Sequence, residues 1–162
     1  MMKERQWEAI HGDCLEVMAE IPANSVDAVI TDPPYGCQNA GQVQATGVNS
    51  GKGRVEGFEI SWNYDLPLEY LEECERVLKP GGSLVTFTDT KRVETVWNYI
   101  EDLGLRPLQM FYWLKSNPPP QPRKNFQSGV EAAIFARKAG KIIYWGGGGA
   151  SLNYCETAIA MG

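Results

Sequence analysis

Apolar positions along the chain change repeatedly between the short period of strands and the longer period of helices. Runs rich in β-branched and aromatic residues predict strands, and apolar residues three or four positions apart predict helices. The predicted strands are 7–11, 26–31, 83–88, 107–114 and 130–138, with 141–145 as the antiparallel hairpin partner of the last. The predicted helices are 14–21, 67–78 and 91–103. We expect an α/β fold with a mixed, mostly parallel sheet and a C-terminal antiparallel hairpin.

Length and composition are those of one globular domain. The chain has 162 residues, of which 43% are hydrophobic and 22% charged, and we expect a single domain over 1–162. No run approaches the ~18 apolar residues of a membrane span, and the first residues lack the apolar core of a secretory signal. The sequence therefore predicts a cytoplasmic protein.

Cysteine and histidine usage argues against a metal centre. The four cysteines are far apart, which predicts free thiols in a reducing compartment rather than a disulfide framework or a zinc site. They are Cys14, Cys37, Cys74 and Cys155. Because His11 is the only histidine in the sequence, a centre built from several histidines is excluded, and we expect no metal.

Charge is distributed unevenly along the chain. Residues 1–104 contain 8 Lys/Arg and 18 Asp/Glu, whereas residues 105–162 contain 7 Lys/Arg and 2 Asp/Glu. A basic C-terminal part could present one face to the phosphates of a nucleic acid, and the alternative is an ordinary solvated surface. The overall charge of −5 argues against a protein that coats nucleic acids generally.

The most informative stretch is residues 26–36, in which a predicted strand runs directly into Asp32-Pro33-Pro34-Tyr35-Gly36. Two prolines cannot donate to a sheet ladder and restrict the residue before each, so the strand must end in a stiff corner. In open α/β sheets, ligands bind at this carboxyl end. A carboxylate and a prolyl carbonyl are both acceptors, so together they can take both hydrogens of an amino group, and a tyrosine ring can stack on its heterocycle.

On these residues the sequence resembles the amino-methyltransferases of nucleic acids, specifically the circularly permuted group that modifies adenine N6 or cytosine N4 in DNA. The resemblance extends over residues 6–145 and implies an incomplete Rossmann-like methyltransferase fold with S-adenosylmethionine as cofactor and DNA as partner. Its implied catalytic residues are Asp32, Pro33, Pro34 and Tyr35. Tyr35 would stack on a base flipped out of the duplex.

A second turn of the same resemblance precedes the predicted helix 14–21. Gly12-Asp13-Cys14 places a carboxylate at the rim of the sheet, where Asp13 is also a good helix N-cap. In the family this turn lies against the adenosine of the cofactor, so the resemblance implies that Gly12, Asp13, Cys14 and Asp32 bind S-adenosylmethionine. The family also has an acid near the start of a late strand, here Glu131.

Two polar segments are candidates for contacts with DNA. Residues 37–61 contain five glycines and no apolar period, and we expect a mobile loop over the substrate base, with a surface excursion as the alternative. Residues 115–125 are basic and stiffened by proline. The residues predicted to contact DNA phosphates are Lys52, Arg54, Lys115, Arg123 and Lys124. Asp89 follows another strand, where a helix cap is the preferred interpretation over a pocket acid.

The family pattern also includes a C-terminal Phe-x-Gly-x-Gly turn that holds the methionine end of the cofactor, and this sequence contains none. Three explanations remain open: the chain is a truncated catalytic domain, it is completed by a second copy or another subunit, or it does not catalyse. The rival functions are therefore a non-catalytic DNA-binding or regulatory subunit, and an N-methyltransferase of RNA or of a protein amide.

Overall fold

The computed structural model describes residues 7–34, 68–118, 129–142 and 152–157, which form three helices and five strands. In chain order the elements are α1 (Cys14–Ala19), β1 (Val26–Thr31), α2 (Glu69–Val77), β2 (Leu78–Thr88), α3 (Val93–Asp102), β3 (Leu105–Lys115), β4 (Val130–Lys138) and β5 (Tyr154–Thr157).

The strands form one mixed sheet in the order β1-β2-β4-β3-β5. β1 pairs with β2 in parallel, and β3 pairs with β5 in parallel, whereas β4 is antiparallel to both of its neighbours. The carboxyl ends of β1, β2 and β3 and the first residues of β4 therefore lie at the same edge of the sheet. This edge is called the carboxyl edge below. The predicted mixed α/β architecture is confirmed.

Helices α2 and α3 pack against the same face of the sheet. Their buried side chains, among them Leu71 and Ile100, form one cluster with Leu84 of β2 and Ala136 of β4. Leu84 and Ala136 are directly opposed in the antiparallel register, so both point to that face. The cluster supplies the hydrophobic core that fixes β2 and β4 in the centre of the sheet.

The helix predictions are confirmed, with ends that move by at most two residues. Asp13 is the N-cap of α1, and its Oδ1 accepts a hydrogen bond from the Leu15 N–H at 2.8 Å. β2 begins at Leu78, immediately after α2 ends at Val77, so the Pro80-Gly81-Gly82 segment lies inside the strand instead of separating it from the helix.

Two strand predictions near the N-terminus need correction. Residues 7–11 form no strand; Trp7 is 85% exposed and Ile10 is 60% exposed, so their apolar character does not reflect packing. β1 is present but is not fully buried: Ile30 is 69% exposed, while Val29 packs against the core cluster. Ile30 follows Val29 in the strand and therefore points to the opposite face of the sheet, away from the core cluster.

The C-terminal strands also differ from prediction. β4 finds its partners in β2 and β3, which lie earlier in the chain, and Lys141 and Ile142 are not in a strand. The rest of the predicted hairpin strand, 143–145, lies outside the described residues, as does the predicted mobile loop 37–61. The sequence does not predict β5, because four residues give too short a pattern.

Two glycines allow the start of β2 to contact the turn after β4. Gly81 has φ +85°, and a Cβ there would lie 1.8 Å from the carbonyl oxygen of Lys141. A Cβ on Gly140 would lie 2.6 Å from the carbonyl carbon of Pro80. Only glycine lets these two segments approach so closely.

We expect Gly81→Ala to lower the free energy of unfolding by about 3 kcal/mol or more, because it adds a backbone clash to left-handed strain. Urea denaturation measures the change. Gly104→Ala is the matched control, since Gly104 has φ +80° and a Cβ there would meet no atom within 4 Å. This control should cost only about 1 kcal/mol. Equal losses in the two variants would contradict the proposed contact.

Candidate functional site

The Asp-Pro-Pro corner lies at the carboxyl edge of the sheet, as the sequence predicts. β1 ends at Thr31, which is paired with Thr86 of β2, and Asp32 follows outside the strand with an exposed side chain. Pro33 is buried and Pro34 is half-buried. The prolines thus fix the backbone against the body of the protein, while the carboxylate faces outward, where a ligand can reach it.

A buried hydrogen bond joins α2 to β2 at the residue that pairs with Thr31. The Tyr70 hydroxyl and Thr86 Oγ1 are 2.8 Å apart, and both residues are at most 5% exposed. Burial is the main cause that raises the pKa of Tyr70 to about 12, so the phenol is neutral at physiological pH. Because Thr86 pairs with Thr31, this contact ties the start of α2 to the strand that carries Asp32.

Asp89 lies at the same edge, one residue after β2, but its carboxylate is used locally. Its Oδ1 accepts a hydrogen bond from the Lys91 N–H at 2.7 Å, and its Oδ2 is 3.8 Å from the Arg92 Nε. This is an Asx turn that leads into α3. The structure therefore favours the local structural role over a pocket acid.

Lys115 and Glu131 form an ion pair farther along the carboxyl edge. Lys115 Nζ contacts Glu131 Oε1, and the lysine side chain is 9% exposed and the glutamate side chain 30%. The ammonium also lies 5.2 Å from the centre of the Trp113 ring. Lys115 is the last residue of β3 instead of part of the predicted loop, and its ammonium contacts Glu131. Its contact with DNA phosphates stays a prediction.

The predicted cofactor residues of the first turn lie together at the start of α1. Gly12, Asp13 and Cys14 are all exposed. One oxygen of Asp13 caps the helix, so the N-cap role that the sequence also predicts is present. A carboxylate has a second oxygen, and capping with one oxygen is compatible with binding a ligand through the other.

Four candidate site residues lie along the carboxyl edge of the sheet. Along the carboxyl edge, β1, β2, β4 and β3 carry Asp32, Asp89, Glu131 and Lys115. The remaining predicted site residues lie outside the described residues: Tyr35, Lys52, Arg54, Arg123 and Lys124. Sequence reasoning missed the Tyr70–Thr86 contact, because a tyrosine in the first turn of an amphipathic helix is too common a pattern to indicate such a contact.

Within the described ranges there is neither a membrane-spanning helix nor a cluster of metal ligands. No helix in 7–34, 68–118 or 129–142 is long and apolar enough to cross a membrane. Across those ranges and 152–157, no three His, Cys, Asp or Glu side chains come close enough together to hold a metal ion.

Comparison with known proteins assigns the family. Residues 26–157 match the DNA methylase family of N6 and N4 enzymes, and this range includes every strand of the sheet. The chain belongs to that DNA methylase family.

Two curated relatives support the assignment. The Type II methyltransferase M.BamHI of Bacillus amyloliquefaciens is 33% identical over 105 residues, which are 64% of this chain and 22% of that protein. The Type II methyltransferase M2.MboI of Moraxella bovis is 26% identical over 147 residues, covering 88% of this chain and 54% of the relative. The chain therefore spans about half or less of the length of these relatives.

The fold of this chain is shared with a solved structure. The M1.HpyAVI–SAM complex superposes with a TM-score of 0.60 at 21% identity, over 88% of this chain and 60% of that chain. The likeness confirms the predicted Rossmann-like methyltransferase architecture for the described sheet.

The ion pair at the carboxyl edge can be tested through stability. We expect Glu131→Gln to lower the free energy of unfolding by about 2 kcal/mol, because it leaves the nearly buried Lys115 without its counter-charge. Lys115→Met, which keeps the buried stem, should cost less. Urea denaturation of both variants is the measurement, and a larger loss in Lys115→Met would contradict the cost assigned to an unpaired Lys115 ammonium.

Proposed function

We propose that this methylase transfers the methyl group of S-adenosylmethionine to the exocyclic amino nitrogen of a base in DNA, with adenine N6 as the preferred acceptor. The observation that carries the proposal is the Asp-Pro-Pro corner, with Asp32 exposed at the carboxyl end of β1 in a chain of the DNA methylase family. The names of the two curated relatives, both Type II methyltransferases, support it. The reaction takes place in the cytoplasm, where the cysteines stay reduced.

The proposed mechanism uses the corner as an alignment device. The target base leaves the duplex and stacks on Tyr35, while Asp32 and the Pro33 carbonyl accept the two amino hydrogens. The nitrogen lone pair then faces the methyl carbon of the cofactor. S-adenosylmethionine held there would supply an electrophilic methyl group and leave as S-adenosylhomocysteine, and the proton released from the methylated nitrogen would pass through Asp32 to solvent water. Catalysis comes mainly from orientation and from stabilising the positive charge that develops on nitrogen.

The cofactor is proposed to lie against Gly12, Asp13 and Cys14 as well as Asp32. All four residues are exposed in the structure. The carboxylates of Asp13 and Asp32 can accept hydrogen bonds from the hydroxyl and amino groups of a nucleoside. Lys52, Arg54, Arg123 and Lys124 are proposed to contact DNA phosphates. Lys115 can take part only if a phosphate competes with Glu131 for its ammonium.

We expect Asp32→Ala to lower methyl transfer by about 100-fold or more, because the amino group loses the acceptor that orients it. The assay follows transfer from radiolabelled S-adenosylmethionine to unmethylated genomic DNA. Asp27→Ala is the matched control: Asp27 lies on the same strand at the opposite end, in an exposed ion pair with Lys79, and its loss should leave transfer unchanged. Wild-type activity in Asp32→Ala would refute the role of that carboxylate.

The acceptor base is read from the product of the same assay. Digestion of the DNA to nucleosides and mass spectrometry should give N6-methyladenine as the methylated base. N4-methylcytosine alone would overturn the proposed preference while leaving the amino-methyltransferase proposal intact. An RNA or protein-amide acceptor would appear as transfer to those substrates without transfer to DNA.

Cofactor binding near α1 predicts protection of Cys14 from thiol reagents. At ten times its dissociation constant, S-adenosylmethionine should slow alkylation of the exposed Cys14 about tenfold by occupancy alone. The exposed Cys155 should react at the same rate with and without cofactor. Buried Cys74 should stay unmodified, since burial raises the pKa of its thiol to about 12. Peptide mass spectrometry measures each cysteine separately, and equal protection of Cys14 and Cys155 would contradict the proposed location.

A further inference from the structure

Helix α1, which carries the proposed cofactor residues at its start, has little apolar anchoring. None of its six residues is buried, and Met18 is the residue of α1 that packs partly against the core cluster. A helix this short is marginal without tertiary contacts. Its position must therefore depend on polar contacts at its ends.

A guanidinium from α2 holds the C-terminal end of α1. Arg76 Nη2 donates to the carbonyl of Met18 at 2.6 Å, and Nη1 donates to the carbonyl of Ile21 at 2.9 Å. The Met18 carbonyl belongs to the last turn of α1 and also accepts the Ile21 N–H at 2.9 Å, and Ile21 follows the helix end directly. A cation at a helix C-terminus also interacts favourably with the helix dipole.

The guanidinium itself is held in orientation by its own helix. Nε and Nη2 of Arg76 contact the Glu73 carboxylate at 3.0 Å and 2.7 Å, a two-pronged arrangement one turn back along α2. This hydrogen bonding lowers the pKa of Glu73, so the pair stays charged at neutral pH. The guanidinium of Arg76 thus donates to Glu73 and to the C-terminal end of α1 at the same time, a geometry that lysine cannot reproduce.

The chain just after α1 is fixed to the same place. The Asn24 N–H donates to the carbonyl of Arg76, and the Ser25 N–H donates to the carbonyl of Val77, both at 2.9 Å. Neither of these bonds involves the Arg76 side chain. A side-chain variant of Arg76 therefore releases α1 without removing the bonds that lead into β1.

We propose that Arg76 is a positioning residue for cofactor binding, which sets the place of the Gly12-Asp13-Cys14 turn by anchoring the far end of α1. Asp13 lies about 9 Å from the anchored end, the length of a six-residue helix. The proposal rests on the proposed cofactor site. Arg76 does not touch the reacting groups; it acts through α1.

The test combines hydrogen exchange with cofactor titration on the full chain. In Arg76→Ala, the amides of Val17 and Ile21 should exchange about tenfold faster or more, while those of α3 keep their rates. Calorimetry should show S-adenosylmethionine binding about tenfold more weakly, with kcat at saturating cofactor changed less than twofold. Arg76→Lys should recover part of the affinity, because one ammonium can still reach a carbonyl.

Lys79→Ala is the matched control, since it breaks an exposed ion pair with Asp27 at the adjacent start of β2 and leaves α1 untouched. It should change neither exchange in α1 nor cofactor affinity. Unchanged cofactor affinity in Arg76→Ala, or exchange that accelerates equally in α1 and α3, would overturn the positioning role. Failure of the wild-type chain to bind S-adenosylmethionine would instead refute the cofactor site of the proposed function, whatever happens in α1.

Discussion

The parallel pairing of β1 with β2 is the constraint on which the candidate site depends. The register places Thr31 beside Thr86, so the corner that follows Thr31 must emerge where β2 also approaches its end. Since β4 runs antiparallel to β2, its first residues meet the same edge. A shift of one residue in the first pairing would turn Val29 away from the core and Ile30 toward it. The location of Asp32 is thus a result of sheet register.

The sequence was sufficient for the parts of the fold that depend on local pattern. The amphipathic spacing in α2 and α3 and the cap at Asp13 are local properties, and the structure contains each of them. The Asp-Pro-Pro corner was equally predictable, because two consecutive prolines remove two ladder donors and restrict the residue before each. The corner and the turn at Asp13 also carry the family resemblance, which explains why the fold and the family could be predicted together.

What the sequence could not show are properties that arise from contacts between distant segments. Trp7 and Ile10 have the composition of a strand, yet within the described ranges both are exposed and neither is in a strand, and the pattern alone contains no information on partners. Lys115 resembles a loop cation in the sequence because its neighbours are prolines and polar residues. Its ion pair with Glu131 follows from the β3–β4 register, in which Trp113 stands opposite Glu131, and a register between two separated strands is not encoded in either strand alone.

The outer edge of β1 has a consequence for how the protein behaves at high concentration. In the part of the chain that the structure describes, β1 pairs on one side only, and it presents Ile30 to solvent. Such a strand is a template for unwanted intermolecular sheet growth. Asp27, with a side chain 63% exposed, places a negative charge on the same strand. Parallel, in-register stacking of β1 would bring the Asp27 carboxylates of neighbouring copies together, which opposes such growth.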